Sequence, residues 1–175
     1  MSGRSKPKNT TKLLRAAQFA SIMLVTLVAG LLWGTWFSIS RSISNLSAQA
    51  YVELGKTMIH NLALPARILF PLAFVAVLVV IGMLWSRHKS AAFWLACAGA
   101  VLLLGALIIT VAVEVPIDNQ TSLWTVATLP PDWQAIRDRW ELHHTIRTFL
   151  GLAALGSLVA SSLVSHAHIA SDRHQ

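Results

Sequence analysis

Apolar residues in this chain gather into four long bands, and the charges fall between them. No Asp, Glu, Lys or Arg occurs in 16–40, 68–86, 90–113 or 148–171. A helix crossing the roughly 30 Å hydrocarbon core of a bilayer needs roughly 20 apolar residues, so each band predicts one spanning helix. The first is expected from about Leu13 to Ser40, the second from about Ala66 to Ser86, and the third from about Ser90 to Val113. The fourth starts near Trp133 and continues at least to Ser165, long enough for its first turns to project beyond the bilayer.

Between the first two bands the pattern changes. Tyr51, Leu54, Met58 and Leu62 recur at three- and four-residue spacing, with Gln49, Glu53, Lys56 and His60 on another face. This predicts an amphipathic helix across the outer ends of the spans, or a continuation into the second span, with Pro65 marking a start or break. Arg87-His88-Lys89 is short enough to make spans two and three antiparallel neighbours. Residues 114–132, with Pro116, Pro130 and Pro131, predict an outer loop, and Asp132 is placed to cap the last helix. The fold class is therefore all-α: an integral membrane four-helix bundle plus an amphipathic outer helix. Residues 1–12 are expected to be a disordered basic cytoplasmic tail, 13–170 a single membrane domain, and 171–175 a second cytoplasmic tail.

Composition agrees: the chain of 175 residues is 55% hydrophobic and 12% charged, against about 25% charged in soluble domains. Its net charge of +7 would suit nucleic acid were it spread along the chain, but it is not. Arg4, Lys6, Lys8, Lys12, Arg15, Arg87, Lys89 and Arg173, opposed by Asp172, fall on one side. Arg41, Lys56, Arg67, Arg137, Arg139 and Arg147 are balanced on the other by Glu53, Glu114, Asp118, Asp132, Asp138 and Glu141. All of the positive excess lies on one face, as expected of cytoplasmic segments. The expected partner is the lipid bilayer of a cell membrane, with both termini cytoplasmic and no nucleic-acid role. A signal-peptide reading of the first band, with Ala48-Gln49-Ala50 as cleavage site, fits poorly. The uncharged stretch is too long for it, and Arg41 intervenes.

Candidate chemistry is confined to a few polar residues. Trp140, His144, Arg147 and Gly151 share one face of the last helix. Arg147 sits at the membrane boundary and needs either a partner, for which Glu114 at similar depth is the economical choice, or a route to the headgroups by snorkelling. His143 and His144 point about 100° apart, so they do not form a two-histidine metal site. No spacing rule joins His60 to His144, and His166-x-His168 with His174 reads as weak metal affinity or simple solvation, so no physiological metal is expected. Cys97 is a lone apolar-span thiol. Gly30 and Gly34 form a G-x-x-x-G that lets another backbone approach closely.

Glu114-Val115-Pro116-Ile117-Asp118-Asn119, then Trp124, then Arg139-Trp140 with His144, Arg147 and Thr148 resemble the DUF1772 family, which includes the fungal anthrone oxygenases. The family pattern runs close to V-P-I-N, a tryptophan, then R-W-x-x-x-H-x-x-R-T. Asp118 departs from it where Asn is more usual, and Asn119 stands next to it. The resemblance implies a four-span bundle and an oxygenase without a bound cofactor, acting on an apolar aromatic small molecule. It implies His144 as base, Arg147 stabilising an oxyanion, Glu114 orienting Arg147, Trp140 and Trp124 stacking on substrate, and Asp118 or Asn119 making polar contacts. The alternative is a non-catalytic membrane protein that binds a lipid or quinone-like ligand, or assembles with a membrane partner. Spans two and three carry no charge, which argues against an ion pathway.

Overall fold

The computed structural model describes residues 7–40 and 42–171. Arg41, Asp172, Arg173, His174 and positions 1–6 of the expected basic tail lie outside the described residues. Five α-helices are joined by short helical turns, with no strand among the described residues: α1 Pro7–Thr35, α2 Ala48–Leu84, α3 Ala91–Ile109, α4 Val115–Leu123 and α5 Trp133–Ser171. The chain is already helical at Pro7, six residues before the expected Leu13.

The amphipathic segment is not a separate helix. It is the first half of α2, 37 residues long, which runs through Pro65 and Pro71 without a break. Ser47 starts it, its hydroxyl accepting the Ala50 amide at 3.2 Å. A break at Pro65 would expose several backbone groups near the hydrocarbon, whereas a continuous helix leaves few unpaired. At 1.5 Å per residue α2 is about 55 Å long, so its N-terminal part stands clear of a bilayer core. The expected 114–132 loop is also largely helical. Span three carries on through a π-helical turn at Thr110–Glu114 and then through α4. Pro116 falls in the first turn of α4, directly after the π-helical turn. Asp132 serves the start of α5 through its backbone carbonyl, which accepts the Ile136 amide at 3.2 Å.

The four long helices close into a ring: α1 packs on α2 and α5, and α3 packs on α2 and α5, so α2 faces α5 across the middle. All four are long and apolar enough to cross a membrane, and only 22–33% of each apolar window is buried inside the bundle. Large apolar side chains such as Phe19, Leu72, Val75, Val101 and Leu163 face outward. Water would penalise that surface and lipid does not. This is a membrane protein.

Two apolar clusters occupy the interior. The larger, built on Val28, Leu32, Val77, Val80, Leu103, Ala154 and Leu158, fills the half of the bundle near the Arg87 turn. The smaller, with Ile43, Tyr51, Val52, Ile117, Trp124 and Trp140, closes the opposite end. Small residues bring α3 and α5 together: a Cβ on Gly99 would lie 3.0 Å from Leu158 Cγ and 3.3 Å from the Ala154 carbonyl oxygen. Gly99→Val is therefore expected to lower stability by about 1–3 kcal/mol in detergent unfolding. Gly30 and Gly34, in contrast, have nothing within 4 Å of such a Cβ, so the G-x-x-x-G serves no close helix contact among the described residues. Gly30→Ala and Gly34→Ala should be tolerated in the same assay.

Candidate functional site

The site lies between the two clusters, where α5 runs alongside the junction of α3 and α4. The π-helical turn Thr110–Glu114 inserts an extra residue there. Such turns reorient side chains and are frequent at functional sites. Glu114 ends it facing inward, with 0% of its surface exposed. Thr110, Glu114 and Asp118 follow at four-residue intervals. Opposite them on α5 stand Trp140, His144 and Arg147.

These groups form a ladder across the two elements. Arg147 is its centre. Nη2 of Arg147 lies 2.8 Å from Glu114 Oε2, and Nη1 donates to Thr110 Oγ1 at 3.1 Å. Nε donates to His144 Nδ1 at 3.1 Å, and Nη2 lies 2.8 Å from the same nitrogen. The Glu114 contact is short but poorly aligned for a hydrogen bond, so it is an ion pair in character. Among the described residues Oε1 of Glu114 has no partner. With side-chain exposures of 11% and 1%, neither charge would be tolerated here alone, and their pairing is the condition for burying both. Arg147 therefore does not snorkel.

One turn further along, Trp140 Nε1 donates to Asp118 Oδ1 at 3.2 Å. The Trp140 ring stacks on His144 with centroids 4.7 Å apart and planes within 4°. Because His144 Nδ1 accepts from Arg147, its proton belongs on Nε2. That nitrogen is buried beside the Leu32 backbone carbonyl without a well-formed bond. Thr148 Oγ1 donates to the His144 carbonyl at 2.7 Å, and Trp36 Nε1 donates to Thr145 Oγ1 at 3.0 Å, which ties α1 to α5.

The ladder borders a cavity of about 370 Å³, within the range of small-molecule pockets. Trp140, His144, Arg147, Asp118, Asn119 and Thr110 make its polar wall. Leu54, Met58, Leu62, Ala66 and Phe70 of α2 face them, and Leu31, Leu32 and Thr35 of α1 close the side. Close approach of α2 to α4 depends on Gly55, where a Cβ would meet Thr121 Cγ2 at 3.2 Å.

Five of the residues singled out from the sequence thus share one wall: His144, Arg147, Trp140, Asp118 and Asn119. Glu114 stands behind Arg147 rather than on the cavity surface. Trp124 does not reach the cavity. It packs on Tyr51, centroids 6.5 Å apart, in the end cluster, so it offers no face to a ligand. His60 is exposed and off the wall. Thr110, Thr35, Tyr51 and Arg67 line the cavity unforeseen. Only for Thr110 was there a signal, its four-residue spacing before Glu114. Among the described residues no three His, Cys, Asp or Glu side chains lie close enough to hold a metal ion.

A family model described as anthrone oxygenase matches residues 56–157, which takes in the second half of α2's outer segment, the whole ladder and most of α5. No curated protein and no solved structure matches the chain.

Proposed function

The chain belongs to the anthrone oxygenase family, and from that premise we propose that it oxidises a flat apolar aromatic ketone with molecular oxygen, without a bound cofactor. The observation that carries the reading is a buried guanidinium, ion-paired with Glu114, on the polar wall of a cavity whose facing side is mostly apolar. A cation in such a setting binds a developing oxyanion far more strongly than it would in water.

In the reaction, a base removes one proton from the ring methylene opposite the ketone, and the electron pair moves onto the ketone oxygen beside Arg147. The resulting anion passes one electron to O₂, and the two radicals combine into a carbon-bound peroxide. That peroxide takes up a proton, then loses the second methylene proton while the O–O bond breaks. The sum is a methylene plus O₂ giving a carbonyl plus water.

His144 is the proposed base. Its Nδ1 lone pair is capped by Arg147 at rest, so it becomes available once Arg147 turns to the ligand's oxygen. Glu114 Oε2, 3.9 Å from Nδ1, would then balance the imidazolium. Trp140 holds the imidazole plane by stacking. The same capping favours a second reading, an apolar quinone-like ligand held without turnover. We further place both termini in the cytoplasm, on the grounds of the basic residues Lys12, Arg15, Arg87 and Lys89 at the end away from the cavity.

A cavity-filling variant tests the placement. Ala66→Phe, on the wall opposite the ladder, is expected to remove anthrone-dependent oxygen uptake at least tenfold while leaving the helical signal and melting behaviour close to wild type. Unchanged uptake would put the reaction elsewhere.

A further inference from the structure

One acceptor on the cavity wall has no part in the chemistry above. Asp118 is the one carboxylate among the cavity-lining residues. Its Oδ1 accepts from Trp140 Nε1 at 3.2 Å, and among the described residues nothing donates to Oδ2. The Trp140 bond fixes the carboxyl group on a rigid aromatic that is itself locked by the His144 stack. The second oxygen is thereby held as a preset acceptor.

A ligand meeting this wall faces two groups of opposite kind. Arg147 is donor-only, and ionised Asp118 is acceptor-only. Asp118 lies one helical turn beyond Glu114, roughly 6 Å along the axis from the layer in which Arg147 is paired. The facing wall on α2 is mostly apolar, from Leu54 and Met58 to Leu62 and Phe70, with Tyr51 and Arg67 as its polar members. A bare aromatic ketone satisfies Arg147 but presses carbon against Asp118, which strips that oxygen of water and returns nothing. A ketone that also carries an O–H about a turn's length from its carbonyl satisfies both.

We infer that Asp118 is a specificity-determining residue that selects aromatic ketones bearing a hydroxyl on the ring edge remote from the carbonyl. The hydroxyl donates to Oδ2 while the carbonyl oxygen accepts from Arg147. A hydroxyl flanking the carbonyl is less suited, since it is already bonded internally and lies too near the Arg147 layer. This deepens the proposed function and rests on its reading of the cavity as an aromatic-ketone site.

Binding, not turnover, tests it. The purified full chain in nanodiscs is titrated calorimetrically with unsubstituted anthraquinone and with beta-hydroxyanthraquinone, at neutral pH, where Asp118 is ionised and most of the hydroxyl is still protonated. Wild type should bind the hydroxylated probe about tenfold or more tightly, the usual worth of a hydrogen bond to a charged group. Asp118→Asn keeps the side-chain volume and an oxygen for Trp140 Nε1, but presents an amide that no longer demands a donor. In that variant the ratio should fall to near one, with affinity for unsubstituted anthraquinone kept or raised. A ratio unchanged by Asp118→Asn, or equal binding of both probes by wild type, overturns the inference and leaves the aromatic-ketone cavity standing. Failure of wild type to bind either probe overturns the cavity reading, and the inference with it.

Discussion

Replacing Arg147 by methionine is expected to destabilise the protein by about 3–5 kcal/mol, because it leaves Glu114 buried with no cation to face. Glu114 has 1% of its side chain exposed and its Oε1 lacks a partner among the described residues; the group left facing it, His144 Nδ1 at 3.9 Å, is a far weaker base than the guanidinium. Removing both charges together, as Arg147→Met with Glu114→Leu, should recover most of the loss, since a well-packed apolar pair replaces a buried ion pair at little cost. The double-mutant cycle, followed by denaturant unfolding in detergent, reads the coupling directly. Additive effects below about 1 kcal/mol each would mean that the pair is solvated and contributes as a surface ion pair does.

His144→Ala carries the second large effect, on rate rather than fold. Loss of a positioned general base commonly lowers turnover by about 100-fold or more, and that is the fall expected in anthrone-dependent oxygen uptake. Alanine also removes the acceptor for Arg147 Nε and the face on which Trp140 stacks. His144→Asn separates these roles. It retains an acceptor for Arg147 but has no basic lone pair, so it too should be slow, with ligand affinity near wild type. If His144→Asn turned over normally, His144 would be a positioning residue for Arg147 and the proton would go elsewhere.

The four spans were legible because lipid leaves few alternatives: a charge-free band of the right length has to be a helix, and Arg87-His88-Lys89 has to turn. The pairing of Arg147 with Glu114 could also be anticipated, from equal depth and the cost of leaving either alone. Local rules failed where tertiary context overrode them. Pro65 reads as a break, yet α2 continues through it, because a helix end in lipid exposes more unpaired backbone than a single missing N–H does. Pro116 helped to read 114–132 as a loop, but it sits in a helical first turn. Once that segment is helical, Thr110, Glu114 and Asp118 align, and the ladder follows. The π-helical turn that aims Glu114 inward has no sequence signature. Trp124 shows the opposite limit. A tryptophan between two site segments need not face the site, and this one supports Tyr51 at the capping cluster. The capping of His144 Nδ1 by Arg147 was equally beyond reach, since residue spacing places side chains on a face without saying which atoms meet.

Oxygen consumption by the purified wild-type chain in nanodiscs, with anthrone as substrate and no added cofactor, bears most directly on the cavity as an oxygenase site. The expected result is uptake well above the spontaneous rate, one O₂ consumed and one anthraquinone formed per anthrone. Uptake no faster than in empty nanodiscs, with anthraquinone still binding against the His144–Arg147 wall, would contradict catalysis and leave a ligand-holding membrane protein.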